Sequence, residues 1–194
     1  MQELRNLTDA IWINILMVVT SIPIVTVGAA ITAAHDANRR ALQGEAGGVT
    51  RNYFKAFRAN FAKSTALWAV FGITGAALAY AWVVLQITPL LVPKIGLTLV
   101  WIIGFEWVFA LQARFENMVG RTLANAFVFG ISHILLTVGM IVLDAIWVGL
   151  LAACWFLFPQ GLFLLVVMGY GTMILCHIPL LERGFAQYLK SGEE

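Results

Sequence analysis

"SIPIVTVGAAITAAHDANRR", residues 21–40, decides the fold. It opens as apolar as a membrane span, carries Pro23 near its start, and ends in Arg39 and Arg40. A cleaved export signal needs a positive leading region and an apolar core of about 7–15 residues. Residues 1–9 hold Glu3 and Asp9 against the single Arg5, and the charge-free run from 10 to 34 is too long. The stretch therefore reads as a retained membrane segment. A proline is tolerated there because neighbouring helices satisfy the freed carbonyl, with a kink as the consequence. Thr26, Ala30 and Ala34 recur at four-residue spacing, as do Gly28 and Thr32. Small residues in that pattern let a second helix approach closely. Gly72, Gly75, Ala76 and Ala79 form a similar cluster further on, so the first two spans are predicted to pack tightly.

The rest of the chain has the same character. Of its 194 residues, 61 % are hydrophobic and 11 % charged. Soluble domains carry about a quarter charged residues. A net charge of +2 with no long basic run gives no signal for nucleic acid. Charge-free or nearly charge-free runs recur, interrupted only by Glu106 and Asp144. About 20 apolar residues cross a bilayer as a helix, and lipid admits only helices or closed barrels. The pattern predicts an all-α integral membrane protein, a single transmembrane domain over 1–194. Its five transmembrane helices would cover roughly 10–34, 64–86, 95–114, 131–158 and 161–182. Five spans do not divide into two equal halves, which argues against an inverted-repeat transporter.

Orientation follows from the basic residues. Arg39, Arg40, Arg51, Lys55, Arg58, Lys63, Arg114, Arg121, Arg183 and Lys190 fall on one side of a five-span chain, and Arg5 and Lys94 on the other. Basic loops stay in the cytoplasm. This predicts the N-terminus outside and the C-terminus inside. Trp12, Trp82, Trp101 and Trp155 would then mark the outer interface.

After a glycine-rich turn, Phe54, Phe57 and Phe61 recur at helical spacing with Arg51, Lys55, Arg58 and Lys63 on another face. That predicts an amphipathic helix on the cytoplasmic surface, held to anionic lipid or to a partner. Arg114, Arg121 and Asn125 offer a second, weaker surface. Cys154 and Cys176 lie at depths differing by about 16 Å, too far for a disulfide, and are predicted to be free and buried.

The sequence carries no phosphate-binding loop, HExxH, CxxC or GxSxG pattern, and its histidines lack metal-ligand spacing. No enzyme activity, cofactor or metal is predicted. His35 and His133 read as interfacial residues at span ends, and Pro179 as a bend at the last exit. What stands out is polar residues inside the spans. Counted down straight helices, Ser21, Glu106 and Asp144 fall roughly 15–20 Å deep, with Tyr170 slightly above and His177 slightly below. These five form a candidate intramembrane polar cluster. A lone carboxylate at mid-bilayer costs about 2.5–3.5 kcal/mol on insertion scales, so Glu106 and Asp144 are expected to face inward near each other. His177 would be their partner. Separate interhelical hydrogen bonds are the alternative.

"NILMVVTSIPIVTVGAAITAAHDANRRALQGE" resembles the opening of the YesL-type bacterial membrane proteins, a family of unknown function. "RNYFKAFRANFAKSTALW" and "ARFENMVGRTLANAF" resemble that family's segments before the second and fourth spans. The resemblance implies a five-span protein of the bacterial inner membrane associated with carbohydrate uptake and degradation, often through a sugar ABC importer. It supplies no catalytic residues. Two functions from different classes are open: a non-catalytic accessory or regulatory subunit of carbohydrate uptake, or a small oligomeric permease or channel with a polar pathway through Glu106 and Asp144.

Overall fold

A computed structural model describes residues 2–45 and 48–190. Ala46 and Gly47, in the middle of the glycine-rich turn, lie outside the described residues. The described chain is helical throughout: α1 (Gln2–Thr20), α2 (Val27–Leu42), α3 (Val49–Val83), α4 (Leu91–Arg114), α5 (Val119–Ser132), α6 (Ile134–Leu157) and α7 (Gly161–Lys190). Among the described residues, four helices are long and apolar enough to cross a membrane: Val49–Val83, Thr88–Arg114, Ile134–Leu157 and Gly161–Ala186. They leave large apolar side chains uncovered along their lengths, among them Ile73 and Val83 on α3, Leu135 and Ile146 on α6, and Phe163 on α7. Water does not support such a surface, and lipid does.

The first predicted span is not one helix. The chain reverses at 21–23, and α1 and α2 form an antiparallel hairpin. Thr26 Oγ1 donates to the carbonyls of Thr20 and Pro23, satisfying backbone groups in the turn. Asn14 on α1 and Asn38 on α2 both reach Gly171, which fixes the two helices side by side. Arg5 and Asp9 share a surface groove with Ala41, Gly44, Glu45 and Asn52. A proline in a span permits a kink or a turn. Here the turn is held by long-range contacts that no local pattern contains. Its tip is apolar, with Ile22, Ile24 and Val25 exposed.

Two corrections follow. The start of α1 lies at the same end of the bundle as Gly44, Glu45 and Asn52, so it shares that end with the basic segment, whereas the sequence put the two at opposite ends. Trp12 also belongs to that end, where its Nε1 donates to Thr50 Oγ1 at 2.8 Å. Eleven of the twelve Lys and Arg residues now fall at one end of the bundle, Arg5 included. The exception is Lys94, at the other end, which donates to the Leu85 carbonyl at 2.9 Å and sits over the Trp82 ring.

The hairpin forms the centre of the fold. All of α2 from Gly28 to Asn38 is buried. It packs on α1, α3, α4 and α7. The predicted close approach of the first two apolar segments occurs between α2 and α3. A Cβ on Gly28 would run into the Ser64 carbonyl and lie 2.6 Å from Trp68 Cβ. Thr32 and Ser64 hydroxyls meet there at 2.8 Å.

The predicted interfacial helix over 52–63 is the first half of α3, continuous with the span, not a separate element. Its 35 residues would extend about 52 Å, well beyond a hydrocarbon core, so one end must leave the membrane. Arg51, Lys55, Arg58 and Lys63 are exposed on that half. Tyr53 is fully buried, and Phe57 packs against the core, while Phe54 and Phe61 remain exposed. Arg121 and Asn125 lie on α5, which runs back along α4: Thr122 Oγ1 donates to Gln112 Oε1 at 3.3 Å. His133 breaks the chain between α5 and α6 with φ −115° and ψ 46°. Cys154 and Cys176 are free, as predicted, but neither is buried: Cys154 is half-buried and Cys176 is exposed on the apolar surface.

If the hairpin is right, Leu4→Cys and Glu45→Cys will react with an impermeant reagent from one side of the membrane. Gln86→Cys will react from the other. The measurement needs a background lacking Cys154 and Cys176. Labelling of the Leu4 and Gln86 positions from a common side would contradict it.

Candidate functional site

The site begins with a break in a spanning helix. At Gly169 the backbone of α7 takes φ 48° and ψ −171°. A positive φ favours glycine, and a Cβ here would collide with the Asn14 amide. Breaking a helix frees carbonyls and N–H groups that lipid cannot satisfy. Asn14 supplies the partners. Its Nδ2 donates to the carbonyls of Val166 and Val167 at 3.0 and 2.8 Å, and its Oδ1 accepts from Gly171 N–H at 3.0 Å. Asn38 Nδ2 donates to the Gly171 carbonyl at 3.0 Å. The hairpin thus holds α7 open from two sides. Non-helical backbone falls at Gly169, whereas Pro179 remains inside the helix.

Below the break, three helices bring titratable side chains together. Glu106 from α4, Asp144 from α6 and His177 from α7 each place one polar atom within 4.8 Å of the others. Glu106 and His177 are 6 % and 1 % exposed. The Asp144 side chain keeps 27 % exposure, so the cluster opens on the α6 side. His177 Nε2 stands 3.3 Å from Asp144 Oδ1. The approach lacks hydrogen-bond alignment: both atoms, with Glu106 Oε2, are buried without a hydrogen-bond partner. Tyr170, just after the break, interacts electrostatically with both carboxyl groups.

Of the five residues predicted to meet, the structure places Glu106, Asp144 and His177 in one cluster, with Tyr170 beside it. Ser21 is absent from it. Its depth was counted along a straight helix through Pro23. The chain reverses instead, and Ser21 stays in the turn, with no described contact to the cluster. The hairpin contributes His35 in its place. His35 is buried, interacts electrostatically with His177 and Asp144, and has an unpartnered Nδ1. Sequence reasoning set it at a span end because nothing local showed that α2 is central. Likewise, no window of sequence shows a Glu–Asp–His group gathered from α4, α6 and α7.

At the basic end a charged groove adjoins a small cavity. A groove of about 660 Å³ is lined by Asp36, Arg39, Lys55, Lys63, Gln112 and Arg114, among others. Asp36 is buried between Arg39 and Arg40, which donate to it at 2.8 and 2.7 Å. The Asp36 bond raises the Arg40 guanidinium above its usual range. Arg39, Ala113 and Arg114 also line a small cavity of about 20 Å³, whose wall includes His35 and Glu182. That volume holds about one water molecule. Groove and cavity share Arg39, Ala113 and Arg114, and His35 stands on the cavity wall.

Two substitutions test the break. Asn14→Leu leaves three buried backbone groups unpaired and should lower stability by about 2–4 kcal/mol, at about 1–3 kcal/mol for each unsatisfied group before relaxation. Gly169→Ala should cost at least about 1–3 kcal/mol from backbone strain, whereas Gly96→Ala, which meets nothing within 4 Å, should not. Unfolding in detergent measures all three. An Asn14→Leu protein as stable as the parent would remove the clamp from the account.

Residues 10–82, which run from within α1 nearly to the end of α3, match the model of a family described as protein of unknown function, DUF624. That description is compatible with the YesL-type resemblance and names no activity. No curated protein matches the chain, and no solved structure does.

Proposed function

We propose that this chain is a four-span protein of the bacterial cytoplasmic membrane with both termini in the cytoplasm. It acts as a small permease that handles a cation, a proton included, at Glu106, Asp144 and His177. The observation that carries this reading is the convergence of three unpartnered polar atoms from three helices next to a broken spanning helix. Interhelical glue would be expected to satisfy its own members. Intramembrane acids mark ion and proton pathways by default, and discontinuous helices with freed backbone are where transporters build their sites. The excess of basic residues at one end supports a cytoplasmic assignment for it, so the groove at that end gives the cluster a cytoplasmic approach. The partial exposure of Asp144 at membrane depth favours a second copy covering α6, hence an oligomer.

A second reading keeps the protein non-catalytic and accessory to carbohydrate uptake, docking on an ABC importer subunit. It is favoured by the exposed Arg51, Lys55, Arg58 and Lys63 on the extension of α3, together with the YesL-type resemblance. Neither reading requires an enzyme.

Purified protein in liposomes loaded with a pH-sensitive dye, and in parallel with a divalent-metal-sensitive dye, separates the two. The permease reading expects flux of one cation that falls to the protein-free level in Glu106→Gln and Asp144→Asn and persists in the Arg51→Glu/Arg58→Glu double variant, whose residues lie outside the groove. Absence of both fluxes, with an importer subunit co-purifying in a manner lost in the double variant, would replace it with the accessory reading.

A further inference from the structure

The cluster leaves a charge imbalance that the surrounding protein does not correct. Glu106 and Asp144 are two acids at membrane depth, and the one Lys or Arg away from the basic end, Lys94, is engaged with Leu85 and Trp82. Two carboxylates in a low-dielectric interior call for one dication or for protons. Geometry favours the dication. Metal ions of the zinc class bind carboxylate oxygen and imidazole nitrogen at about 2.0–2.2 Å, which in a tetrahedral site sets neighbouring ligand atoms about 3.3–3.6 Å apart. His177 Nε2 and Asp144 Oδ1 stand 3.3 Å apart without the alignment of a hydrogen bond, which matches that spacing, and a Glu106 oxygen lies within 4.8 Å of both, close enough to join them on a small movement of its side chain. Independently of that spacing, Glu106 Oε2 and His177 Nε2 are unpartnered on side chains more than nine-tenths buried. Buried polar atoms normally have partners, and here the missing partner is shared.

We infer that the centre binds one divalent transition-metal ion of the zinc class, ligated by the Glu106 and Asp144 carboxylates and by His177 Nε2. This rests on the cation-handling reading of the same cluster and names its ion. An imidazole in the set selects against calcium and magnesium, which take all-oxygen shells. Three protein ligands leave a coordination position open, as in sites that exchange a ligand. His35 stands next to the centre on the side of the small cavity and the basic groove. Binding displaces protons from the ligands, so affinity rises with pH.

The test titrates metal-free protein in detergent with Co²⁺ and follows visible absorption, with Zn²⁺ as competitor. One Co²⁺ per chain is expected, giving ligand-field bands that Zn²⁺ abolishes. Glu106→Gln and Asp144→Asn should weaken binding about tenfold or more, and Glu116→Gln and His133→Gln should not. His177→Cys supplies a check independent of those variants' folding. It should still bind Co²⁺ and gain a near-ultraviolet sulfur-to-cobalt band. No Co²⁺ or Zn²⁺ uptake by the unaltered protein, or uptake unaffected by Glu106→Gln and Asp144→Asn, would overturn the inference. So would a His177→Cys protein that binds Co²⁺ without that band. Metal bound without any cation flux leaves the site standing and removes the permease. Proton flux with no metal bound does the reverse.

Discussion

The contact on which the rest depends is the one between Asn14, Asn38 and the backbone of α7 around Gly171. A spanning helix cannot open in lipid unless its freed groups are bonded within the protein. The two asparagines bond them, and they can do so only because the chain reverses at 21–23 and lays α1 and α2 side by side. The hairpin and the break therefore imply each other. Without the hairpin, α7 would have unsatisfied groups in an apolar medium. Without the break, Asn14 would itself be a buried amide with nothing to bond.

The same arrangement shapes the polar centre. The break precedes Tyr170 and His177, and the hairpin that clamps it also carries His35 toward the centre. Gly28 and the small residues after it let α2 sit close against α3, so a helix with Thr32, His35, Asp36 and Asn38 can be buried inside an apolar bundle. Each of these polar groups faces a different neighbour: Ser64 on α3, the Glu–Asp–His centre, the Arg39–Arg40 pair, and α7. A buried helix of this kind is tolerable because hydrogen bonds and ion pairs offset most of the desolvation of its side chains. The exceptions are His35 Nδ1, Asn38 Oδ1 and the centre.

Much of this was legible in the sequence. The helical membrane class follows from charge-free runs, because lipid leaves the backbone no other choice. Glu106 and Asp144 lie on uninterrupted helices, and the break at Gly169 leaves His177 close enough to its counted depth for depth and face counting to bring the three together. The close packing around Gly28 shows in the four-residue spacing of small side chains. The reversal was not legible. "SIPIV" is compatible with a kink or a turn, and the contacts that decide lie far away in the chain: Gly171 is 157 residues beyond Asn14. From that one point came the misplacement of Ser21, of the N-terminus and of Trp12, and the reading of His35 as interfacial. Cys176 was misjudged for another reason. Hydrophobic residues of a membrane protein face lipid as readily as the core, so apolar character does not predict burial.

Amide hydrogen exchange at Gly171 tests the central contact most directly. Its N–H is bonded to Asn14 Oδ1, two residues beyond the break at Gly169. The account predicts a slowly exchanging amide at Gly171 in the unaltered protein, and rapid exchange at 166–172 in Asn14→Ala with α3 and α4 unchanged. A Gly171 amide that exchanges freely in the unaltered protein, or one equally protected without the Asn14 side chain, would contradict it.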